Sequence, residues 1–125
     1  MDTRTKILTL EVARALRAPS PAIVTGYFDI LRAEDAREIE DVRRRTAAAT
    51  LVAFVLPSSA ALLSQHARAE MAAAFRVIDY VVTGDERDLA TLIGALQPLG
   101  VVRLEDGEAR RYREFVQHVH RRQTR

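Results

Sequence analysis

A short apolar run near the middle of the chain constrains the fold more than any other stretch. Residues 50–56, Thr-Leu-Val-Ala-Phe-Val-Leu, carry no charged side chain, and Pro57 follows them directly. A strand with one face in water alternates apolar and polar residues, whereas a strand covered on both faces is apolar throughout. The run therefore predicts a strand with helices packed on both of its faces, as in a parallel α/β sheet.

Short apolar runs alternate with helical patterns along the rest of the chain. Further strands are predicted at residues 22–28, 78–82 and 101–104. Helices are predicted before, between and after the strands, where apolar residues recur three and four positions apart. The predicted helices are 2–17, 33–48, a segment carrying Leu63, Ala67, Met71, Ala74 and Phe75, a segment carrying Leu89, Leu92, Ile93 and Leu96, and a last one carrying Tyr112, Phe115, Val116 and Val119.

This alternation predicts the architecture. Strands that are separated by helices and short links run parallel and are joined by right-handed crossovers. We therefore predict one domain over residues 1–125, a three-layer α/β/α Rossmann-like sandwich with a parallel sheet of four or five strands. Ligands of such sheets bind beyond the carboxyl ends of the strands, which places residues 26–29 and 57–59 at the rim of the predicted crevice.

Prolines and capping residues predict where the helices end and begin. Pro19 and Pro21 should end the first helix, because proline cannot continue a helix. Ser58 or Ser59 is expected to cap the third helix, and Asp85 the fourth, since their side-chain oxygens can accept from free N–H groups of the first turn.

Composition excludes several classes of protein. The chain has no cysteine, which excludes disulfides and thiolate zinc sites. No apolar run approaches the ~20 residues of a membrane helix, and the N-terminus lacks the pattern of a secretory signal. The sequence therefore predicts a cytoplasmic protein that does not associate with membranes.

The basic residues do not by themselves indicate nucleic acid. The chain has 19 Lys and Arg against 17 Asp and Glu, a net charge of +2. Arginine clusters at 43–45, 110–113 and 121–125 have acidic residues among or beside them, so we interpret them as solvated helix faces. Nucleic-acid binding through these clusters stays a third alternative, which would show as an affinity that falls steeply with salt.

The histidines do not predict a metal site. His118 and His120 are two residues apart and would point to different faces of a helix, and His66 has Glu70 as its one partner a turn away. The chain also lacks a Walker loop, a G-x-S-x-G elbow and a G-x-G-x-x-G motif.

The chain resembles a known family at the end of the predicted strand 22–28. The β-branched run there ends at Gly26 and continues as Gly-Tyr-Phe-Asp-Ile-Leu over residues 26–31. This segment resembles the first half of the G-x-F-D-x-x-H-x-G-H signature of cytidylyltransferase-like nucleotidyltransferases. Residues 68–74 and 78–82 look like the second helix and the V-D-x-V strand of that family, so the resemblance spans roughly residues 22–104.

The resemblance implies a function as well as a Rossmann-like fold. Members of the family transfer a nucleotide from CTP or ATP to a sugar- or alcohol-phosphate with Mg²⁺, release pyrophosphate, and are often homodimers. If the alignment holds, the vestigial nucleotide-binding positions of this chain are Gly26, Tyr27, Phe28, Asp29, Arg32 and Arg68. Two of these also have a structural interpretation, Phe28 as core packing and Asp29 as a hydrogen-bonding turn residue.

The departures from the family pattern concern catalysis. In place of H-x-G-H the chain has Arg32-Ala33-Glu34-Asp35, whereas the family's histidines stabilise the charge that develops on the α-phosphate. A carboxylate such as Asp35 about 4 Å from a phosphate oxygen would repel it by around 4 kcal/mol. Glu34 and Asp35 instead suit the first turn of a helix, where each complements the helix dipole by ~0.3 to 1 kcal/mol. The family's loop lysine is also missing from residues 57–65, as is its R-T-x-G-I-S-T segment.

These observations lead to two main hypotheses. The first is a catalytically inactive cytidylyltransferase-like domain without a cofactor, acting as an interaction or regulatory module in a homo-oligomer or with a protein partner, with Glu34 and Asp35 blocking a vestigial nucleotide site. The alternative is a working nucleotidyltransferase with a rearranged site that uses Arg32 and Arg68 with Mg²⁺ and CTP or ATP.

Overall fold

A computed structural model of the chain describes residues 2–29 and 33–107. A 3₁₀ turn at Thr3–Lys6 comes first. The strands are β1 (Ile7–Leu8), β2 (Pro21–Gly26), β3 (Thr50–Val55), β4 (Tyr80–Thr83) and β5 (Val101–Arg103). The helices are α1 (Leu10–Arg14), α2 (Ala33–Thr46), α3 (Gln65–Ala73) and α4 (Glu86–Leu96). Strand and helix therefore alternate from β1 to β5.

The five strands form one parallel sheet in the order β1-β4-β3-β2-β5. Strand β3 lies at the centre, paired with β2 on one side and β4 on the other, and all six of its residues are buried. Read from β4 to β5, the order 4-3-2-5 is that of a doubly wound sheet, to which β1 adds an outer strand. The predicted three-layer Rossmann-like sandwich is confirmed, with five strands.

Side chains of the central strands alternate between two apolar cores. Leu51, Ala53 and Val55 of β3 lie in the core beneath α2 and α3, and Val52 and Phe54 lie in the core beneath α1 and α4. The helices contribute Ile39, Val42, Ala69, Ala72 and Ala73 to the first core and Ala13, Leu89 and Leu92 to the second. Among the described helices, of which α2 is the longest with 14 residues, none has the length and apolar character needed to cross a membrane.

The N-terminal segment differs from the helix predicted over residues 2–17. Ile7 and Leu8 form β1 and pair with β4. Helix α1 begins only after Thr9, whose hydroxyl accepts a hydrogen bond from the N–H of Val12 at 3.2 Å, and it ends at Arg14. The prediction was wrong because β4 offers an unpaired backbone edge, and pairing with that edge satisfies N–H and C=O groups of both strands.

The third helix begins later than predicted. Ser64 caps α3 by accepting a hydrogen bond from the N–H of Ala67 at 3.1 Å, so neither Ser58 nor Ser59 is the cap. Leu63, predicted on the inner face of the helix, lies in the preceding loop with 39% of its surface exposed. A carboxylate from a different loop binds the backbone N–H groups of Leu62 and Leu63, as described below.

Helix α2 corrects the interpretation of the arginine cluster 43–45 as a solvated face. Arg43 turns inward, where its Nη1 donates to the carbonyl oxygen of Val77 at 2.7 Å and its Nη2 to that of Ala49 at 2.6 Å. The next two arginines form surface ion pairs with Asp41. Carbonyl groups at the ends of neighbouring elements need donors, and the long arginine side chain reaches them.

Several sequence predictions fall outside the described residues. Residues 104–107 are helical, and the predicted last helix otherwise lies beyond them. Its predicted inner face (Tyr112, Phe115, Val116 and Val119), the pair His118 and His120, and the arginine clusters 110–113 and 121–125 all lie outside them.

Candidate functional site

Successive strands are added on one side of β2 up to β4 and then on its other side with β5. The candidate site is located by this switch in strand order. Strands β3 and β4 lie on one side of β2, and β5 lies on the other. Loops that leave β2 and β5 at their carboxyl ends diverge to opposite faces of the sheet and open a crevice between them. We use "carboxyl edge" for the residues that follow the carboxyl ends of the strands. The rim of the crevice is therefore formed by residues after β2 and β5, whereas residues 57–59, predicted at the rim, follow β3 one strand away.

The segment after β2 is held in place by internal contacts. Gly26 ends β2 without a positive φ angle, whereas Phe28 has a φ of 53° and a side chain that is 1% exposed. The carboxylate of Asp29 accepts hydrogen bonds from the N–H groups of Leu62 and Leu63 at 2.8 and 2.9 Å. Phe28 and Asp29 thus have the contacts that their structural interpretation anticipates, and Asp29 joins the loop after β2 to the loop after β3.

Arg68 of α3 lies beneath the same two loops and is 2% exposed. Its Nη1 donates to the carbonyl oxygens of Tyr27 at 2.8 Å and Leu56 at 2.7 Å, and its Nε donates to that of Leu63 at 3.3 Å. The guanidinium group therefore satisfies carbonyl groups that follow β2 and β3. An arginine in this role stabilises the loops, and its Nη1 and Nε donors are engaged by the protein itself.

The first turn of α2 carries the acidic residues predicted there. Glu34 is exposed and Asp35 is 9% exposed, and both lie within the first turn of the helix that follows Gly26. The sequence prediction for this turn is confirmed. Arg32, assigned to the vestigial site that these two acids were predicted to block, lies outside the described residues.

A polar network that sequence reasoning missed lies at the point of reversal itself. The hydroxyl of Thr25 in β2 donates to the carboxylate of Glu105, with oxygen-to-oxygen distances of 2.7 and 3.0 Å. Both residues are buried. Arg103 of β5 donates to Glu105 at 3.1 Å and to both carboxylate oxygens of Glu86 in α4 at 2.9 and 3.1 Å. The network thus links β2, β5 and α4 and places a buried carboxylate where the strand order reverses.

The residues of this network stand out in the sequence, but only the sheet topology shows that they lie together. Thr25 is the polar member of an apolar strand, and Arg103 and Glu105 alternate along and just after a short apolar run. The two segments are 80 residues apart, so only the pairing of β2 with β5 brings them together.

The start of α4 next to this network is stabilised by a reciprocal cap. The side chain of Asp85 accepts from the N–H of Asp88, and the side chain of Asp88 accepts from the N–H of Asp85. A Cβ atom added at Gly84 would come within 2.7 Å of Asp88, so this position requires glycine. Asp85 was predicted as the cap, and that prediction is confirmed.

Hydrogen bonds in this region shift several acid–base equilibria. The N–H of Asp88 lowers the pKa of Asp85, and the side chain of Arg103 lowers the pKa of Glu86. In return, the hydrogen bond to Glu86 raises the pKa of Arg103 above its usual range. The Arg103 and Glu86 side chains are therefore both charged near neutral pH.

The described part of the edge offers more carboxylates than free cations. Arg68 is bound to carbonyl oxygens and Arg103 to carboxylates, while Glu34, Asp35 and Glu105 follow the carboxyl ends of β2 and β5. The Nε2 atom of His66 lies 2.9 Å from a carboxylate oxygen of Glu70, and no cluster of three metal-ligating side chains occurs among the residues that the structure describes. The arrangement favours cationic or neutral groups over anions.

The sequence matches no protein-family model, and a search of curated proteins finds no match to it.

Replacing Arg68 by lysine should destabilise the fold although the charge is kept. A single ammonium group cannot span carbonyl groups on two loops as the planar guanidinium does. We expect a loss of about 1.5 to 3 kcal/mol in the free energy of unfolding in urea, the range for hydrogen bonds to charged groups. The matched control is Arg44→Lys on the surface, where we expect a change below about 0.5 kcal/mol. Equal effects of the two substitutions would show that Arg68 does not join the loops.

The cap at Asp85 predicts a pH dependence of stability. Because the pKa of Asp85 is lower in the folded chain than in the unfolded chain, its stabilisation is complete above the unfolded value and is lost as the pH falls through the folded value. Asp85→Ala should therefore be less stable than wild type at pH 7 in urea unfolding, and the difference should shrink below about pH 4. Asp85→Asn, a cap without charge, should keep most of the stability at both pH values. A difference between wild type and Asp85→Ala that stays constant with pH would contradict this account.

Proposed function

We propose that this chain is a catalytically inactive cytidylyltransferase-like domain that acts as an interaction or regulatory module. The proposal combines the resemblance of residues 22–104 to that family with the charges at the carboxyl edge. The observation that carries it is the buried Glu105 carboxylate at the point of strand reversal, hydrogen-bonded to Thr25, where the fold would otherwise receive an anionic ligand.

The first turn of α2 supports the same conclusion. A helix N-terminus after a strand is a favourable place for a phosphate, because free N–H groups and the positive end of the dipole face the ligand. Here Glu34 and Asp35 occupy that turn. Their negative charges complement the helix dipole themselves, and each would repel a phosphate about 4 Å away by around 4 kcal/mol.

Two arginines near this edge, Arg68 and Arg103, have other roles in the fold. The donors of Arg68 bind the carbonyl oxygens of Tyr27, Leu56 and Leu63, and Arg103 binds two carboxylates. Releasing either guanidinium for a substrate would leave buried carbonyl or carboxylate groups without their donor, which costs about 1 to 3 kcal/mol for each group. These contacts therefore support a structural role for Arg68 and Arg103.

An activity assay tests this proposal against the alternative of a working nucleotidyltransferase. We expect no pyrophosphate release from CTP or ATP with Mg²⁺ and polyol-phosphate or sugar-phosphate acceptors. Turnover that disappears in Arg32→Ala would overturn the proposal in favour of an enzyme with a rearranged site. Arg37→Ala, a substitution at an exposed position further along α2, serves as the matched control.

Restoring the family motif provides a second, independent test. Replacing Arg32, Glu34 and Asp35 by His, Gly and His removes both carboxylates from the first turn of α2. CTP should then raise the melting temperature of the triple variant but not that of wild type, because a ligand at ten times its Kd adds about 1.4 kcal/mol of stability. The comparison is made within each protein, with and without CTP, so a loss of intrinsic stability in the variant does not affect it. Equal stabilisation of wild type and variant by CTP would show that the carboxylates are no barrier.

A further inference from the structure

Residues 2–16, which we call the N-terminal arm, begin at the outer edge of the sheet. The arm contains the 3₁₀ turn, β1 and α1, and its strand pairs with β4 through Ile7 and Leu8. Among the described strands, β1 is the last on its side of the sheet, so β4 is its one strand neighbour. A terminal segment in this position can leave its place by local unfolding while the central strands stay paired.

The N-terminal arm completes both apolar cores and covers an edge of the sheet. Its apolar side chains pack against the two cores, Ile7 against one and Leu8, Leu10, Ala13 and Leu16 within or against the other. The side chain of Lys6 donates to the carbonyl oxygens of Phe75 and Ile78 at 3.1 and 2.8 Å. Without the arm, these carbonyl groups and the edge of β4 would lose their partners. The place of the arm therefore has to be filled, and an identical arm from a second copy makes identical contacts.

A short link, residues 17–20, connects the N-terminal arm to β2. Its sequence is Arg-Ala-Pro-Ser, and a second proline, Pro21, is the first residue of β2. A proline disfavours the helical region for the residue before it and favours an extended backbone there, so Ala18 and Ser20 both prefer to be extended. Proline itself has a φ of about −65°, which also suits an extended chain. The sequence of the link therefore favours a straight path away from β2.

The fold of a single chain needs a turn in this link that the sequence disfavours. Ser20 has a φ of 41°, in the left-handed region, although it is not glycine and precedes a proline. Ala47 and Gln97 also have a positive φ, but they directly follow α2 and α4, where a left-handed residue commonly ends a helix. Ser20 lies well beyond the end of α1 and has no such role. The turn at Ser20 therefore carries strain that an extended link would release.

We propose that two copies of this chain exchange their N-terminal arms, so that residues 2–16 of each copy pack against β4 and α4 of the other. Every contact of the arm is kept in such a dimer, and the two forms differ in the link, which becomes extended and loses the turn at Ser20. Strain in a short hinge loop favours exchange for this reason. Reciprocal exchange fills both places, so the assembly closes at two chains. The proposal rests on the proposed function in one respect, because it names a second copy as the partner of the interaction module.

Sedimentation velocity of the wild-type chain provides the first measurement. Exchange requires the arm to leave its place, so the chain is unfolded in urea and refolded over a wide range of protein concentrations. We expect the mass to rise from that of one chain to that of two chains as the concentration during refolding increases, and to rise no further. A single-chain mass at every concentration would overturn the proposal, as would a mass that grows beyond two chains.

A pair of introduced cysteines distinguishes exchange from any other contact between copies. The chain has no cysteine, and Ile7 in β1 is the strand partner of Val81 in β4 on the same face of the sheet. In Ile7→Cys/Val81→Cys, refolded at high concentration and oxidised, we expect a disulfide that joins two chains on a denaturing gel without reductant. A disulfide confined to single chains, or none at all, would overturn the proposal. The matched control is Ile7→Cys/Val82→Cys, in which the second cysteine lies on the opposite face and should form no disulfide.

Ser20→Gly tests the hinge. Glycine adopts a positive φ without strain, so the turn in the single chain loses its disadvantage, and the dissociation constant of the dimer should rise at least tenfold. Ser59→Gly is the matched control, because Ser59 is exposed in the loop after β3 and its φ is not positive, so its replacement should leave the dimer unchanged. Equal dissociation constants for wild type and Ser20→Gly would overturn the proposal. Pyrophosphate release in the activity assay would instead reject the proposed function and leave all of these masses unchanged.

Discussion

The two layers of helices in this protein are required by the burial of one strand on both faces. Strand β3 pairs with β2 and β4, its odd-numbered residues face α2 and α3, and its even-numbered residues face α1 and α4. Burial of an aliphatic or aromatic side chain contributes roughly 1.5 to 3 kcal/mol, so neither layer of helices can be lost without exposing half of the strand. The parallel direction of the strands follows, because each crossover must return across one face of the sheet.

A sheet built in this way leaves carbonyl groups without partners at the ends of its elements, and basic side chains donate hydrogen bonds to them. Carbonyl groups at the ends of helices and strands have no partner within their own element and need donors from elsewhere. Lys6 donates to Phe75 and Ile78 at 3.1 and 2.8 Å, and Arg43 and Arg68 bind further carbonyl oxygens from neighbouring segments. The basic composition of the described chain is thus partly explained by internal contacts.

Unpaired backbone groups at helix ends also explain why the carboxyl edge carries many acidic residues. In a doubly wound sheet this edge collects helix N-termini, which attract negative charge from whatever source supplies it. In this chain the protein itself supplies that charge through Glu34, Asp35 and the cap at Asp85. Glu105 adds a buried carboxylate at the point where the strand order reverses, with Thr25 and Arg103 as its donors. Internal anions therefore complement the dipoles that would otherwise favour a bound phosphate.

The sequence by itself determined the fold class, the central strand and the cap of α4. The uniform apolar character of residues 50–56, the acidic first turn of α2 and the cap at Asp85 depend on neighbours within a few positions, and all three predictions are confirmed. Only the tertiary structure decided that residues 7–8 form a strand, that Arg43 and Arg68 bind carbonyl oxygens, and that Thr25 meets Glu105. The physical reason is that these contacts join segments up to 80 residues apart, and a hydrophobic pattern records which face of an element is buried but not which element covers it.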